Sequence, residues 1–329
     1  MRILYCIRND YLRNFAGDSM QALKSAEHLR KIGAHVDINN GHIEDYSSYD
    51  LIHLFNLTRT GETYKYYKLG KYYKKNIVLS PMYWDLTKYY SYIKDIDSIK
   101  MWEKCSHYKL EILKGCKIIY PNSKTEGNII KEEFGKNIKY EAIYDGVEVE
   151  DDQVPLYNFK DRYNLDNYVL CVGRICKMKN QLTLSKVCND LNIPLVLIGT
   201  IDDKDYFNEC TKYKNTIYLG FMDSYNIYNA YRFAKLHISP SFMEIPGISS
   251  LEAAASGCNI LTTKEGSAYE YFGEGAIYCD PFQEESITEG IIEGINKRKN
   301  DDFKNYILEN YNWSKCIQKL YESYLAILQ

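Results

Sequence analysis

Short β-branched apolar runs alternate with amphipathic stretches from one end of this chain to the other, and that alternation limits the fold more than any other feature. Apolar runs without polar interruption suit strands buried on both faces. The stretches between them carry the apolar spacing of helices. Together they specify parallel sheets covered by helices on both sides. In the first half the expected strands are residues 2–7, 35–38, 51–55, 76–80, 117–120 and 138–143, and the expected helices are 19–31, 62–75, 99–114 and 123–134. Within the first helix Met20, Leu23, Ala26 and Leu29 recur at three-residue steps, and Gly33 follows as a stop. The acidic segment 148–155 has no apolar pattern, ends at Pro155 and reads as a linker. A second series follows, with strands at 168–173, 195–199, 216–220, 236–239, 259–262 and 276–278 and helices at 181–191, 224–233, 248–256 and 285–297. The last segment, 313–328, sets Trp313, Ile317, Leu320, Tyr321 and Tyr324 on one face, as a docking helix does.

These elements give an α/β chain of two doubly wound, Rossmann-like parallel-sheet domains facing a cleft. The expected divisions are 1–150, 151–312 and a docking helix at 313–329 that can cross back to the first domain. A length of 329 residues agrees with two domains. Apolar residues at 45% and charged residues at 26% exclude wholesale disorder, and a net charge of −3 excludes a global basic field for nucleic acid. The ten cysteines are scattered without a C-x-x-C pair, which reads as free thiols in a reducing compartment. The apolar run at the start stops at Arg8, too short for a signal segment, and no stretch approaches the ~18–20 apolar residues of a membrane span. The expected location is cytoplasmic, with the inner face of a membrane as the one surface within reach. Lys65, Lys68, Lys71, Lys74 and Lys75 read first as the solvated face of a helix whose Tyr66, Leu69 and Tyr73 point inward. Their second reading is a patch for peripheral membrane contact or an anionic acceptor.

Open α/β sheets bind ligands at the carboxyl ends of their strands. After the strand ending at Val172 comes Gly173-Arg174-Ile175-Cys176-Lys177-Met178-Lys179-Asn180-Gln181, a glycine turn with Arg and two Lys ahead of a helix. Such a turn suits a diphosphate, although the same residues also read as a solvated basic loop. The G-x-x-x-x-G-K-[ST] and G-x-G-x-x-G patterns are both absent, against P-loop and nicotinamide sites. A later strand runs into Pro240-Ser241-Phe242-Met243-Glu244-Ile245-Pro246-Gly247, and Glu252 follows one turn into the next helix. Backbone amides at that helix start favour phosphate, and the acceptor-only oxygens of Glu252 suit ribose hydroxyls. Alternatively Glu252 answers the helix dipole.

The pair Glu244 and Glu252, the following Ala253-Ala254-Ala255-Ser256-Gly257, and Gly266-Ser267-Ala268-Tyr269-Glu270 ahead of Tyr278-Cys279-Asp280-Pro281 resemble the retaining GT-B glycosyltransferases of family 4. Val172-Gly173-Arg174 with Lys179-Asn180-Gln181, and Tyr218-Leu219-Gly220 before a helix with Tyr228, extend the resemblance across roughly residues 168–325. In the first half it rests on Phe15-Ala16-Gly17-Asp18, Asp50-Leu51-Ile52-His53 and Ile143-Tyr144-Asp145-Gly146-Val147. The resemblance implies transfer of a sugar, with retention, from a nucleoside diphosphate sugar (UDP or GDP first) to a glycan, lipid-linked or protein acceptor. It implies no cofactor and no nucleic-acid partner. It assigns Arg174 and Lys179 to the donor diphosphate, Glu244 to the donor sugar and leaving group, and Glu252 to the ribose. Gly247 and Ile248 would offer amides to phosphate, Phe221 and Met222 would border the base, and Gly17 would lie under the donor from the first domain. No metal is expected, since no Asp-x-Asp follows directly on an apolar strand; Asp95-Ile96-Asp97 and Asp203-Lys204-Asp205 lie in polar segments. The family often has a histidine after its fourth strand. Here that stretch reads Ser80-Pro81-Met82-Tyr83-Trp84-Asp85, so Asp85 is the catalytic candidate on the acceptor side, with Tyr83 and His53 behind it and a helix-capping role as the alternative.

Overall fold

A computed structural model describes residues 1–148 and 155–329, so most of the segment read as a linker, residues 149–154, lies outside the described residues. Contacts divide the chain into two units, Met1–Gly146 with Trp313–Gln329, and Val147–Asn312.

The first unit contains β1 (Arg2–Cys6), α1 (Gly17–Lys31), β2 (His35–Asn39), β3 (Leu51–Phe55), α2 (Thr60–Tyr72), β4 (Asn76–Ser80), α3 (Thr87–Tyr92), α4 (Ile96–Lys104), α5 (Ser106–Gly115) and α6 (Lys124–Phe134). Its strands are all parallel in the order β2-β1-β3-β4, with Ile3 opposite both Val36 and Leu51. The uninterrupted apolar runs follow from the pleat, which sends alternate residues to opposite faces. Leu4, Cys6, Ile52, Leu54, Ile77 and Leu79 pack with Tyr66, Ile112 and Ile130 of the helices on one face. Ile3, Tyr5, Leu51, Phe55 and Val78 pack with Ala22, Ala26 and Leu29 of α1 on the other. On α2, Tyr66 is buried and Leu69 and Tyr73 pack against the same core, so its lysines have only the outer face to occupy.

Two expected strands are corrected. Residues 117–120 and 138–143 form only isolated bridges, Leu79 with Ile119 and Ile119 with Tyr140. Pro121 offers no amide to continue pairing beyond Tyr120. The expected helix 99–114 is divided at Cys105, whose ψ of −11° bends the rod. The i to i+4 bonds Cys105 N–H to Met101 and Lys109 N–H to Cys105 carry across the bend.

The second unit contains α7 (Phe159–Tyr163), β5 (Val169–Val172), α8 (Gln181–Asp190), β6 (Leu195–Ile198), α9 (Lys204–Cys210), β7 (Thr216–Tyr218), α10 (Ser224–Phe233), β8 (Leu236–Ser239), α11 (Ile248–Ala255), β9 (Ile260–Thr263), α12 (Ala268–Phe272), β10 (Ile277–Cys279), α13 (Glu284–Asn296) and α14 (Asp301–Asn310). Its parallel order is β10-β9-β8-β5-β6-β7. The chain spreads one way from β5 through β7, then returns to place β8 on the opposite side of β5. This is the arrangement in which the crevice between the two central strands opens as a ligand site.

The closing helix, α15 (Trp313–Leu328), packs with the first unit: Trp313, Ile317, Leu320 and Tyr324 share a core with α1. The chain returns at Gly146, where any side chain would collide with the Trp313 backbone. All ten cysteines are free thiols, seven of them buried.

Candidate functional site

The carboxyl ends of β5 and β8 lie side by side in the second unit, and each launches a loop carrying a charge. After β5, a single 3-10 turn over Lys177–Lys179 ends at Asn180, whose backbone is left-handed at φ 57°. The buried Asn180 amide donates to the carbonyls of Pro240, at 3.2 Å, and Pro281, at 3.0 Å, and so ties three strand ends together. The Phe242 amide donates to the Met178 carbonyl at 2.9 Å, which brings the β8 loop against the turn.

These ties place Lys179 Nζ 2.6 Å from Glu244 Oε1. The same oxygen accepts from the Ser239 hydroxyl at 2.7 Å and the Ser241 hydroxyl at 2.6 Å. Burial works against the charged carboxylate, but the Lys179 ammonium and the two hydroxyls outweigh it and hold Glu244 below the usual carboxylate range. The Glu244 side chain is 6% exposed against 26% for Lys179, so the pair presents its cationic end. Its backbone is fixed too: Glu244 N–H donates to Glu265, and Ser267 N–H to Glu244. A side chain at Gly266 would run into the Glu244 carbonyl, which accounts for glycine there.

The other expected residues are distributed as follows. Gly247 caps α11, and the Glu244 carboxylate stands 3.3 Å from where a Gly247 Cβ would be. Ile248 opens α11, in the turn whose amides have no partner within the helix. Glu252 lies one turn further and accepts from the Tyr231 hydroxyl at 3.4 Å. Arg174 turns to Asp202, at 3.1 Å, rather than to Glu244. Phe221 is 70% exposed and Met222 half-buried on the loop between β7 and α10.

In the first unit, Gly17 opens α1 with free space where a side chain would stand. Asp85 is exposed, and its two oxygens accept from the Thr87 amide and the Thr87 hydroxyl, both at 2.9 Å, at the start of α3. Tyr83 is fully buried and donates to Glu133 at 2.6 Å. His53 lies in the core with its ring nitrogens on Tyr324 and Ser80, and burial pushes its pKa down to about 3, so the ring is neutral at neutral pH. Asp95 and Asp203, from the two Asp-x-Asp sequences, are N-caps of α4 and α9.

Sequence reasoning missed Ser239, Ser241 and Asn180 as parts of the site. The S-x-S spacing ahead of Glu244 was an available signal. It also missed the buried Arg8, which follows β1 and donates to Asp18 at 2.7 Å and Asp10 at 2.7 Å, holding the loop that leads to Gly17.

Residues 158–310 match the family described as glycosyl transferases group 1. Spinach (Spinacia oleracea) sucrose-phosphate synthase is 25% identical over 178 residues, 46% of this chain and 16% of that protein. An uncharacterised glycosyltransferase of Methanocaldococcus jannaschii is 28% identical over 228 residues, 63% of this chain and 58% of that one. The chain thus spans only part of the length of the curated relatives it matches. Among solved structures, sucrose-phosphate synthase of Thermosynechococcus elongatus superposes with a TM-score of 0.81 at 14% identity, covering 99% of both chains. Anabaena HepE in complex with UDP and glucose gives 0.76 at 14%, covering 99% of this chain and 100% of that one. The two parallel-sheet units are those of the GT-B fold, and within the second of them residues 158–310 are similar to the glycosyl transferases group 1 family.

Proposed function

We propose that this protein is a retaining, metal-independent glycosyltransferase that moves a sugar from a nucleoside diphosphate sugar to an acceptor hydroxyl, in bacterial glycan or glycoconjugate assembly. The observation that carries the reading is the Lys179–Glu244 pair at the strand-order reversal of the unit that contains the group 1 match. Breaking the bond between sugar and diphosphate leaves negative charge on the phosphate oxygens. Lys179, Arg174 and the amides at Gly247 and Ile248 supply fixed positive charge and donors for that anion. Preorganised donors of this kind lower the barrier without a cation. Glu244, held ionised by its three donors, orients Lys179 and faces the sugar side. Glu252 holds the ribose. HepE's UDP and glucose make a UDP-sugar the first donor to try, with GDP-sugars second.

A thermal-shift screen against UDP-, GDP-, ADP- and TDP-sugars tests the donor, since a ligand at about 100 times its Kd adds about 2.7 kcal/mol. NMR of the product anomer tests retention, and transfer is expected to persist in excess EDTA. Interconversion of the donor sugar without transfer would make the protein an epimerase. Absence of donor binding would make it a partner subunit.

A further inference from the structure

A glutamate that meets two vicinal hydroxyls at once must have its flexible side chain fixed in one orientation. Ordering a long carboxylate side chain costs entropy, and whatever the protein has not already fixed is lost from affinity. Tyr231 of α10 meets this need for Glu252. It is 1% exposed, and its hydroxyl donates to Glu252 Oε2 at 3.4 Å. The next residue, Arg232, donates to the Ser256 carbonyl at 3.3 Å, one turn beyond Glu252 on α11. Successive residues of α10 thus grip one face of the helix that carries Glu252. On either side of Tyr231 the α10 backbone is itself anchored: the Tyr168 hydroxyl donates to the Ala230 carbonyl at 2.6 Å, and the Lys299 ammonium to the Arg232 carbonyl at 2.8 Å.

The Tyr231 ring is held as firmly as its backbone. It stands edge-on to His237 of β8, with centroids 5.4 Å apart and planes at 85°. His237 is fully buried, neither of its ring nitrogens has a hydrogen-bond partner among the described residues, and burial pushes its pKa down to about 3. Tyr231 therefore packs on a neutral ring. Burial and the nearby Glu252 charge also keep the Tyr231 hydroxyl protonated well above its ordinary range, so it is a donor throughout the neutral range. A buried phenol needs an acceptor, and other tyrosines of this unit find a backbone carbonyl: Tyr168 at Ala230 and Tyr218 at Gly199. Tyr231 finds the carboxylate of the candidate site instead. At 3.4 Å the contact is longer than a tight O–H···O bond, so it directs the carboxylate and draws off little of its accepting capacity.

We propose that Tyr231 is a positioning residue of the donor site, holding the Glu252 carboxylate in the orientation that receives the 2′- and 3′-hydroxyls of a ribonucleotide. The role rests on the reading of Glu252 as the residue that meets the ribose. On that footing the site prefers ribonucleotide donors to their deoxy counterparts.

Calorimetry on the full chain with UDP and GDP, each beside its 2′,3′-dideoxy counterpart, tests it. The wild type is expected to bind one of the ribonucleotides about 10-fold or more tighter than its dideoxy form, since the missing hydroxyls donate to a charged acceptor. Tyr231→Phe keeps the ring and its packing on His237 and removes only the donor. It is expected to weaken the ribonucleotide about 3- to 10-fold and to leave the dideoxy form unchanged. A merely structural role would weaken both forms alike. In Glu252→Gln, which has already lost the carboxylate, adding Tyr231→Phe should cost little more. Equal weakening of both forms by Tyr231→Phe, or an undiminished preference for the ribonucleotide, overturns the proposal and leaves the donor reading standing. Equal binding of ribonucleotide and dideoxy form by the wild type overturns the ribose role of Glu252 and, with it, the role of Tyr231. Binding of neither UDP nor GDP by the wild type overturns the donor reading itself.

Discussion

Both units place a cation at the end of their first strand, and they use it in opposite ways. Arg8, after β1, is 4% exposed and enclosed by Asp18, Asp10 and the Asn14 carbonyl. Its charge is consumed in building a loop. Lys179, after β5, has a single carboxylate partner that is more buried than itself, so its charge remains on offer. The same residue chemistry is architecture in one unit and a candidate binding element in the other. What separates the two is how many acceptors the neighbouring loops supply.

Removing each cation tests that difference. Lys179→Ala is expected to cost about 2–4 kcal/mol of transition-state stabilisation. It also strands Glu244 in a buried site, at about 3 kcal/mol of stability. The double variant Lys179→Met with Glu244→Gln should recover stability without recovering transfer, by thermal unfolding and steady-state rates. Arg174→Ala should cost a similar amount of transfer but under about 1 kcal/mol of stability, because its pair with Asp202 is partly exposed. Arg8→Met should reverse the pattern, losing about 3 kcal/mol of stability with donor affinity unchanged. Loss of UDP binding in Arg8→Met, measured by calorimetry, breaks the comparison.

A buried carboxylate sharpens it. Asp145 accepts from Gln21 at 3.0 Å and Asn122 at 3.1 Å, and burial pushes it up from 3.8 to about 7, with Gln21 opposing. Between those pH values the folded protein holds a proton that the unfolded chain releases, so stability falls as pH rises from 3.8 to about 7 and stays reduced above. Asp145→Asn removes the titration. Its unfolding free energy should lack that slope and exceed that of the wild type at pH 8 by on the order of 2 kcal/mol. A slope unchanged in the variant assigns the pH dependence to other groups.

The second unit was more legible in the sequence than the first for a physical reason. Its candidate site is assembled from two loops that follow apolar strands directly, so glycine, lysine and glutamate spacing along the chain is also spacing in the structure. Strands β5 to β10 match expected runs within one or two residues at each end. Lys109 shows the opposite case. It stands in a helix among alternating polar and apolar residues, and its burial depends on Trp102 and Tyr83 folding over it, which local periodicity does not encode. Short helices such as α9 and α14 escaped for a related reason: their caps, Asp203 and Asn300, are single residues in polar stretches. The Ser239 and Ser241 hydroxyls on Glu244 depend on a loop turning back on its own strand, which spacing alone hints at but does not fix.

The smallest expected effect concerns Asp85, where sequence and structure assign different work to one side chain. The sequence makes it the acceptor-side carboxylate in place of an absent histidine. In the structure both its oxygens are engaged by Thr87 at the start of α3, and the residue is exposed. A carboxylate that orients or deprotonates a hydroxyl must be aimed at it, and the Thr87 bonds hold the Asp85 carboxylate against the start of α3 instead. Asparagine keeps an oxygen for the Thr87 amide and loses only the acceptor for the Thr87 hydroxyl, and asparagine and aspartate are near-equivalent at helix starts. Asp85→Asn is therefore expected to change stability by under about 0.5 kcal/mol and to transfer sugar at close to the wild-type rate. A fall of about 100-fold with donor affinity intact would return Asp85 to the acceptor side, because only proton transfer or charge at that position distinguishes the two residues.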